Sequence, residues 1–418
     1  MKDRDQKHIW HPYTQHGLNP DILPVTSARG ASLELADGRK IIDAVSSWWV
    51  NIHGHGHPSL VKAIADQAAS LDHVIFAGFT HEPGVRLAEV LLKQTSLRNL
   101  RFDRVFYSDN GSTSVEVALK MAYQFQQNIG QTTRTKFIAL HDSYHGDTLG
   151  AMAVGEPDGF HGIFQKLFPK VDFVNVNRIE ELNALVEKNP EAYAAFIFEP
   201  MVQGASGMKF QDANYLKSAV ELCQKYKILT IADEVFTGFY RTGKCFASEH
   251  AGISPDLLCL SKGITGGTLP LAVTLATREI FEGFKSTEIK SAFLHGHSYT
   301  ANPIACAAAL ASWALLESEA CQNQIKNISA ITEKRISKLR NHPKVKEARN
   351  LGTIGAVELK SDTNYFSANP KNISKMAIDR GVLLRPLGNV LYAVPPYCTS
   401  VSELNQVYSV MEEIIDEL

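Results

Sequence analysis

The segment Leu257–Gly267, LLCLSKGITGG, starts as an apolar run typical of a buried strand and then reaches a lysine. Three of the four residues before Ser261 are leucine, and glycines follow Lys262 at positions 263, 266 and 267. A lysine at the end of such a strand has its ammonium group in the protein interior, where an unpaired charge is costly to bury. We therefore expect Lys262 to have either an oppositely charged partner or a chemical function.

Asp233 is the residue that suggests a chemical function for Lys262. It ends the apolar run ILTIADE (228–234), one strand–helix–strand excursion before Lys262, so both side chains should leave the same sheet edge on neighbouring strands. The two could form a structural ion pair, but a buried pair is seldom a stabilising choice. The alternative is a lysine bonded as a Schiff base to a carbonyl, usually pyridoxal phosphate. Asp233 would then hold a proton on the pyridine nitrogen of that cofactor.

Short apolar runs of strand length recur along the middle of the chain, separated by amphipathic segments typical of helices, such as Ser114–Gln127 and Asn214–Lys225. Further runs are RVFYSD (104–109), KFIAL (136–140), VDFVNV (171–176), AAFIFEP (194–200) and LAVTLAT (271–277). Strands that alternate with helices predict an α/β fold with a mostly parallel, doubly covered sheet. Ligands bind at the carboxyl ends of the strands in such sheets, which is where the polar residues cluster.

The two ends of the chain have a different pattern. ASLELADGRKIIDAVSS (31–47) predicts a hairpin around Asp37-Gly38. Two helices, the runs GTIGAVEL, GVLLRP and VLYAVPP, and a terminal helix follow after about residue 310. We therefore predict a large cofactor-binding domain over residues 51–309, and a smaller α+β domain built from residues 1–50 and 310–418.

A phosphate group needs an anion site, and DNGSTS (109–114) has the sequence for one. This segment follows a strand and opens a helix, so Gly111 lets the backbone approach a phosphate while Ser112 and the first N–H groups bind its oxygens. An ordinary helix cap has the same residues. Tyr144, in DSYHGDT, also follows a strand and could stack on a cofactor ring. Together with Lys262 and Asp233, the DNGSTS segment and Tyr144 make four such features at one sheet edge, and they predict a pyridoxal phosphate site.

Composition limits the other classes of function. The chain has 418 residues with 42 basic and 44 acidic side chains, which does not favour nucleic-acid binding. The N-terminus lacks the apolar core of a secretory signal. No stretch of the sequence has as many consecutive apolar residues as a membrane-spanning helix needs. The six cysteines have no metal-ligand spacing. We expect a soluble, cytoplasmic protein whose cysteines are reduced.

Two other motifs allow alternative interpretations. GFYRTGK (238–244) fits the start of an ATPase phosphate loop, but Cys245 stands where Ser or Thr should bind magnesium, and Arg241 is better placed to contribute to a substrate pocket. NIHGHGHP (51–58) offers three alternating histidines that could bind zinc, yet the glycines between them predict a turn and no further ligand completes the set. We expect no metal site. Of the pair Trp48-Trp49, Trp49 is expected to be a core residue.

Several motifs together resemble the class III pyridoxal-phosphate aminotransferases of fold type I, over essentially the whole chain. They are HIWHPYT, SSWW, HGHGHP, YHGDT, EPMVQGASGM, IADEVFTGFYRTGK, CLSKGITGG and RPLGNVLYAVPPY. A non-catalytic relative would be expected to lack Lys262 or Asp233, and both are present. The resemblance implies that Lys262 carries the cofactor and serves as general base, that Asp233 pairs with the pyridinium, and that Gly111 and Ser112 hold the phosphate.

The resemblance also implies the residues that contact the substrate. Tyr144 would stack on the cofactor ring and touch the substrate, Tyr13, Trp48 and Gly296 would line the pocket, and Arg385 would bind a substrate carboxylate through a bidentate fork. HIWHPYT together with SSWW, and the late RPLGNVLYAVPPY, are typical of family members that convert 8-amino-7-oxononanoate to 7,8-diaminononanoate in biotin biosynthesis. S-adenosylmethionine is the expected amino donor; lysine as donor, or another ω-aminotransferase activity of the family, is the alternative.

HGHSYTANP (295–303) departs from the family pattern. His297 and Ser298 occupy the place of a proline–threonine pair whose threonine reaches the cofactor phosphate of the neighbouring subunit. Serine keeps the hydroxyl, so His297 and Ser298 are expected near the cofactor of the partner subunit in a homodimer. The larger His297 bears on the identity of the amino donor.

Overall fold

The computed structural model describes residues 1–18, 20–156, 162–360 and 369–418. Within these residues the strands are β1 Val25–Arg29, β2 Ser32–Leu35, β3 Lys40–Asp43, β4 Arg104–Ser108, β5 Lys136–Leu140, β6 Val171–Val174, β7 Tyr193–Phe198, β8 Val202–Gln203, β9 Lys209–Phe210, β10 Leu229–Asp233, β11 Leu257–Leu260, β12 Ala272–Ala276, β13 Val345–Leu351, β14 Ile354–Leu359, β15 Val382–Leu383 and β16 Val390–Ala393.

The helices of the same residues are α1 Lys2–His8, α2 Ser46–Trp49, α3 Pro58–Ser70, α4 Glu82–Ser96, α5 Gly111–Asn128, α6 Leu149–Ala153, α7 Ile179–Lys188, α8 Ala213–Lys225, α9 Ser248–Ala251, α10 Arg278–Glu282, α11 Pro303–Leu316, α12 Glu319–Leu339, α13 Asn369–Asp379 and α14 Val401–Glu417. Short 3₁₀ turns include Lys262–Thr265. α2 is a single tight turn with non-helical dihedral angles at Ser47 and Trp48.

Seven strands form the central sheet, in the order β4-β12-β11-β10-β7-β5-β6. β12 runs antiparallel to both of its neighbours, and the other pairings are parallel. The apolar runs of the sequence analysis form these strands, so the predicted mostly parallel sheet is confirmed. All of β7 and β11 is buried, as expected for strands covered by helices on both faces.

β10 and β11 are the strands that position the site. They are parallel neighbours, and Asp233 lies opposite Cys259 in their register. The chain therefore leaves both strands at the same edge of the sheet, as predicted, with Asp233 at the end of β10 and Lys262 just beyond β11. α5 opens at this edge too, because Asn110 caps it in a reciprocal capping box with Thr113.

The chain ends come together in two smaller sheets. β1, β2, β3 and β15 form one of them, in which β15 from the C-terminal part pairs with β3 from the N-terminal part. β13, β14 and β16 form the other, with α12 and α14 packed nearby around a separate apolar core. The predicted α+β portion built from both ends is thus confirmed. α11 passes through the predicted boundary at residues 309 and 310, and the division into two domains at these positions stays a prediction.

The six cysteines are free thiols, and five of them are buried. In the part of the chain that the structure describes, no single helix has both the length and the apolar composition needed to cross a membrane. The bent pair of α11 and α12, which meet at 70°, passes that test only when the two helices are taken together.

Candidate active site

A cavity of about 580 Å³ lies at the carboxyl ends of β10 and β11. Most of the residues predicted to bind cofactor or substrate line it, namely Tyr13, Trp48, Gly111, Ser112, Tyr144, Asp233, Lys262 and Arg385. These residues come from both ends and the middle of the chain, so the fold alone brings them to one place.

Lys262 lies at the floor of this cavity, in a strained conformation. Its φ is +45°, a region that costs a non-glycine residue about 1–3 kcal/mol and that clusters at functional sites. Its Nζ lies 5.0 Å from the centroid of the Trp49 ring and 5.9 Å from that of Phe236. Burial lowers the pKa of Lys262, while the charges of Asp233 and Glu199 act in the opposite direction. The amine is therefore more readily neutral, and more nucleophilic, than an exposed lysine.

The carboxylate of Asp233 is fixed from two sides. Its Oδ2 accepts a hydrogen bond from Nδ1 of His145 at 2.7 Å, and its Oδ1 accepts one from the backbone N–H of Val235 at 3.0 Å. The His145 side chain is fully buried, and its Nε2 has no hydrogen-bond partner among the described residues. A buried carboxylate held in this way can face a protonated ring nitrogen without changing its orientation.

An anion cradle lies at the start of α5, because the first N–H groups of an α-helix have no partner within the helix. Gly111 allows the close approach that this place requires: a Cβ there would lie 2.7 Å from a methyl group of Val235. Ser112 Oγ accepts a hydrogen bond from the N–H of Asp147 at 3.0 Å, which fixes this hydroxyl at the cavity. The arrangement suits a phosphate group.

Gly146 supports this cradle from the neighbouring loop. Its φ is +128°, and a Cβ at this position would lie 2.1 Å from Ser112 Oγ. We expect Gly146→Ala to displace Ser112 and to weaken the binding of the predicted cofactor, pyridoxal phosphate, about 10-fold or more, the loss of roughly one good hydrogen bond. Equilibrium titration of the apoprotein with the cofactor measures this effect. Gly130→Ala is the matched control, since Gly130 also has positive φ but a Cβ there meets nothing within 4 Å. Equal affinities for the two variants would contradict the cradle.

Glu199 is a further buried carboxyl group at the cavity. It follows β7 and accepts hydrogen bonds from the N–H of Tyr144 at 3.1 Å and of Gly204 at 2.9 Å. Burial raises the pKa of Glu199 to about 7; the neighbouring His145 opposes this shift and Asp233 adds to it. Glu199 thereby holds the loop that carries Tyr144, and its charge changes near neutral pH.

Glu199 should make stability depend on pH. Its pKa is about 7 in the fold against an ordinary 4.5, so ionisation destabilises the fold, and stability is lost as the pH rises through this window. The full cost is about 3 kcal/mol. As the pH rises from 5 to 8, the wild type should lose stability and Glu199→Gln should not. The melting temperature of Glu199→Gln should therefore increase relative to that of the wild type across this range. Glu180→Gln, at an exposed position, should show no such trend. A difference that is independent of pH would refute the assignment.

Aromatic and charged side chains form the mouth of the cavity. The Tyr13 hydroxyl donates to Asp147 Oδ2 at 2.7 Å and lies 3.2 Å from the Tyr144 hydroxyl. The guanidinium carbon of Arg385 lies 3.9 Å from the centroid of the Trp48 ring. Stacking on an indole orients the planar fork of Arg385, which suits it for a carboxylate.

Four residues singled out from the sequence lie elsewhere. Gly296, His297 and Ser298 do not line the cavity of their own chain, although His297 Nδ1 lies 3.4 Å from Oδ2 of Asp109, a lining residue. Arg241 does not line it either. Its guanidinium is buried and donates to the carbonyl of Pro395 at 2.7 Å, because the GFYRTGK loop folds inward behind the site.

The three histidines of NIHGHGHP have separate partners. His53 contacts the Ser312 hydroxyl at 3.0 Å, and burial lowers its pKa to about 3. His55 donates to Asp43 at 2.9 Å, and His57 accepts the N–H of Ser59 at the start of α3. Only the His57 contact is with local backbone; His53 and His55 bind side chains from other parts of the chain.

Sequence analysis assigned no role in the site to Trp49, His145 and Glu199, which all line the cavity. Trp49 is 5 % exposed, as a core residue would be, yet its ring faces Lys262. His145 directly follows Tyr144, and only the fold brings it to Asp233. Glu199 stood at a predicted strand end, and this position was the signal that could have identified it.

Comparison with known proteins gives a consistent result. The profile of the family described as aminotransferase class-III matches residues 13–415. The adenosylmethionine-8-amino-7-oxononanoate aminotransferase of Synechococcus elongatus is 47 % identical, over 98 % of this chain and 99 % of the relative. The crystal structure of the enzyme of the same name from Methanocaldococcus jannaschii is 35 % identical, with a TM-score of 0.94 over 100 % of this chain and 98 % of that one. An amine transaminase from an uncultivated Pseudomonas species, solved in its PLP-bound (internal aldimine) form, is 31 % identical, with a TM-score of 0.91 over 98 % of both chains.

Proposed function

The chain belongs to the class-III aminotransferases, and we propose that it transfers an amino group from S-adenosylmethionine to 8-amino-7-oxononanoate, in biotin biosynthesis. The names of full-length relatives support this substrate pair. The observation that carries the proposal is the placement of Lys262 and Asp233 at the ends of neighbouring strands, facing one cavity that also contains the start of α5.

Pyridoxal phosphate fits the residues of this cavity. The family and a PLP-bound structural neighbour both imply this cofactor. Gly111 and Ser112 would hold its phosphate, Asp233 would face its pyridine nitrogen, and Tyr144 would cover one face of its ring. When bound, the cofactor supplies a carbonyl for the lysine and a ring that accepts electrons.

The side chains divide the remaining work between them. Lys262, whose pKa is lowered by burial, would carry the cofactor. Its amine, once released, would remove the proton from the amine-bearing carbon of the donor and later deliver a proton to the carbon of the acceptor that receives the amino group. Asp233 would keep the ring nitrogen of the cofactor protonated, and His145 fixes that carboxylate through a 2.7 Å hydrogen bond. The nearby aromatic rings of Trp49 and Phe236 keep the amine in an apolar environment.

Arg385 is the proposed binding site for a substrate carboxylate. Both proposed substrates carry one, so a single arginine, oriented by Trp48, can serve the two halves of the reaction in turn. Tyr13 and Tyr144 close the same mouth through their hydroxyl groups.

We also infer a homodimer, in which Gly296, His297 and Ser298 complete the site of the partner subunit. Their absence from the lining of their own cavity is compatible with this arrangement. Cytoplasmic location stays a prediction from the sequence.

Isotope transfer tests the proposed substrates. The holoenzyme is incubated with 8-amino-7-oxononanoate and with S-adenosylmethionine labelled with ¹⁵N at its amino group. The mass of the 7,8-diaminononanoate formed is then measured by mass spectrometry. We expect the product to gain one mass unit from this donor and none from labelled lysine. Label from lysine alone would show that the donor is wrong while the acceptor stands. Absence of product with either donor would refute the proposal.

A further inference from the structure

The turn Ser46–Trp49, sequence SSWW, has an unusual backbone. Ser46, Ser47 and Trp49 have φ values of +49°, +60° and +65°, a left-handed region that residues with a Cβ rarely occupy. No glycine eases this turn. Conformations of this kind persist only where the surrounding structure over-determines them, so something must hold the turn in place.

Asp43, the last residue of β3, is the residue that holds it. Its carboxylate is fully buried and accepts hydrogen bonds from the backbone N–H of Ser47 at 2.8 and 2.7 Å, from the Ser47 hydroxyl at 3.1 Å and from the N–H of Val45 at 3.3 Å. Nε2 of His55 donates to the same carboxylate at 2.9 Å, while Nδ1 of His55 accepts from the side-chain amide of Asn51 at 2.9 Å. Both oxygens of Asp43 are therefore engaged with the turn or with the histidine behind it.

Asp43 is itself fixed by the small sheet. It lies opposite Leu383 in the parallel pairing of β3 with β15, and Arg385 follows two residues later. Asp43 thus joins two distant parts of the chain: its carboxylate holds the turn that carries Trp48, and its backbone pairs with the strand that ends two residues before Arg385.

The turn presents two indole rings to the cavity. Trp48 stacks on Arg385 at 3.9 Å and lies 5.6 Å from the Tyr13 ring. Trp49 points the other way, where its Nε1 donates to the Tyr392 hydroxyl at 3.0 Å and its ring faces the Lys262 amine at 5.0 Å. A change in the dihedral angles of this turn would move both rings.

We propose that Asp43 is a positioning residue of the reaction: its carboxylate holds the strained turn so that Trp48 and Arg385 form the wall that binds the substrate carboxylate. The inference rests on the proposed function, because that function assigns the wall to substrate. Asp43 does not line the cavity, and its effect passes through the position of Trp48.

The test compares Asp43→Asn with Asp256→Asn in the holoenzyme. Asp256 is a matched control, since its partly buried carboxylate also accepts a backbone N–H and a hydroxyl, both from Thr230 at 2.8 Å, but does not line the cavity. An asparagine at position 43 offers a single acceptor oxygen to the donors of the turn. We expect the KM values for both substrates to rise about 10-fold in Asp43→Asn, with kcat changed less than about 3-fold and the cofactor still bound. Asp256→Asn should keep wild-type KM values.

A second measurement judges the inference independently of the substrates. Hydrogen–deuterium exchange of the segment 44–50 should become faster in Asp43→Asn and stay unchanged in Asp256→Asn. If the wild type does not convert the named substrates, the proposed function is wrong. The exchange result still tests whether the Asp43 carboxylate holds the turn Ser46–Trp49. Lower thermal stability in Asp43→Asn with wild-type KM values and exchange would overturn the inference, because it would assign Asp43 a purely structural role. Should Asp43→Asn not fold, His55→Gln removes one partner of the carboxylate and should raise KM about 3-fold.

Discussion

Replacing Lys262 with alanine should lower the rate of amino transfer by about 10⁴-fold or more. The variant loses both the amine that attaches to the cofactor and the base that moves the substrate proton, and general acid–base catalysis alone contributes about 10²–10⁴-fold. The cavity also loses a partly buried group whose pKa is lowered by burial. Single-turnover measurement of product formation, with the cofactor supplied in excess, gives the effect directly.

Two controls separate this loss from misfolding. Lys217→Ala removes an exposed lysine of α8 that pairs with Glu221, and it should retain wild-type activity. A small primary amine added to Lys262→Ala should restore part of the rate, since the missing group is then supplied from solution. If Lys262→Ala kept more than a tenth of the wild-type activity, another residue would have to be the base.

Asp233→Asn should give the second-largest loss, about 10³-fold in the rate of each half-reaction, as expected when a preorganised charge is removed from a water-excluded site. The asparagine has nearly the same shape as aspartate but no negative charge to keep a ring nitrogen protonated. The rate of each half-reaction, followed by the absorbance of the bound cofactor, measures the effect.

The content of bound cofactor distinguishes this loss from simple release. Asp233→Asn should keep the cofactor, because the cradle at Gly111 and Ser112 is unchanged. Asp256→Asn, which alters a partly buried carboxyl group away from the cavity, should leave the half-reaction rates near those of the wild type. A loss below about 3-fold in Asp233→Asn would mean that the carboxylate has no electronic role.

Backbone strain gathers around this cavity. Tyr13, Trp49 and Lys262, which all line it, have φ values of +51°, +65° and +45°. A single residue in this region could be incidental, but three at one cavity indicate that the fold bears a cost to place these side chains. The hydrogen bonds of Asp43 are one way in which that cost is met.

Most of the fold was predictable because its signals are local. The apolar runs that form β4, β5, β10 and β11 match the strands to within about two residues, and hydrophobic periodicity is the main signal of secondary structure. Asp233 and Lys262 were predictable for the same reason, since the end of a parallel strand is a fixed place in the sheet.

The features that could not be predicted depend on contacts distant in sequence. SSWW contains no glycine, so nothing in it signals three left-handed residues. Burial of Trp49 was predicted correctly, but burial does not distinguish a core residue from one that faces a reactive lysine. Arg241 was expected in the pocket and lies behind it, because the direction in which a loop folds depends on packing against Pro395.

The most direct test of the account is to identify the residue that carries the cofactor. The holoenzyme is reduced with borohydride, which fixes the cofactor covalently on its lysine, and the digested protein is analysed by mass spectrometry. The account predicts the added mass on the peptide that contains Lys262 and on no other lysine. Added mass on a different lysine, or no added mass in a protein that contains the cofactor, would contradict it.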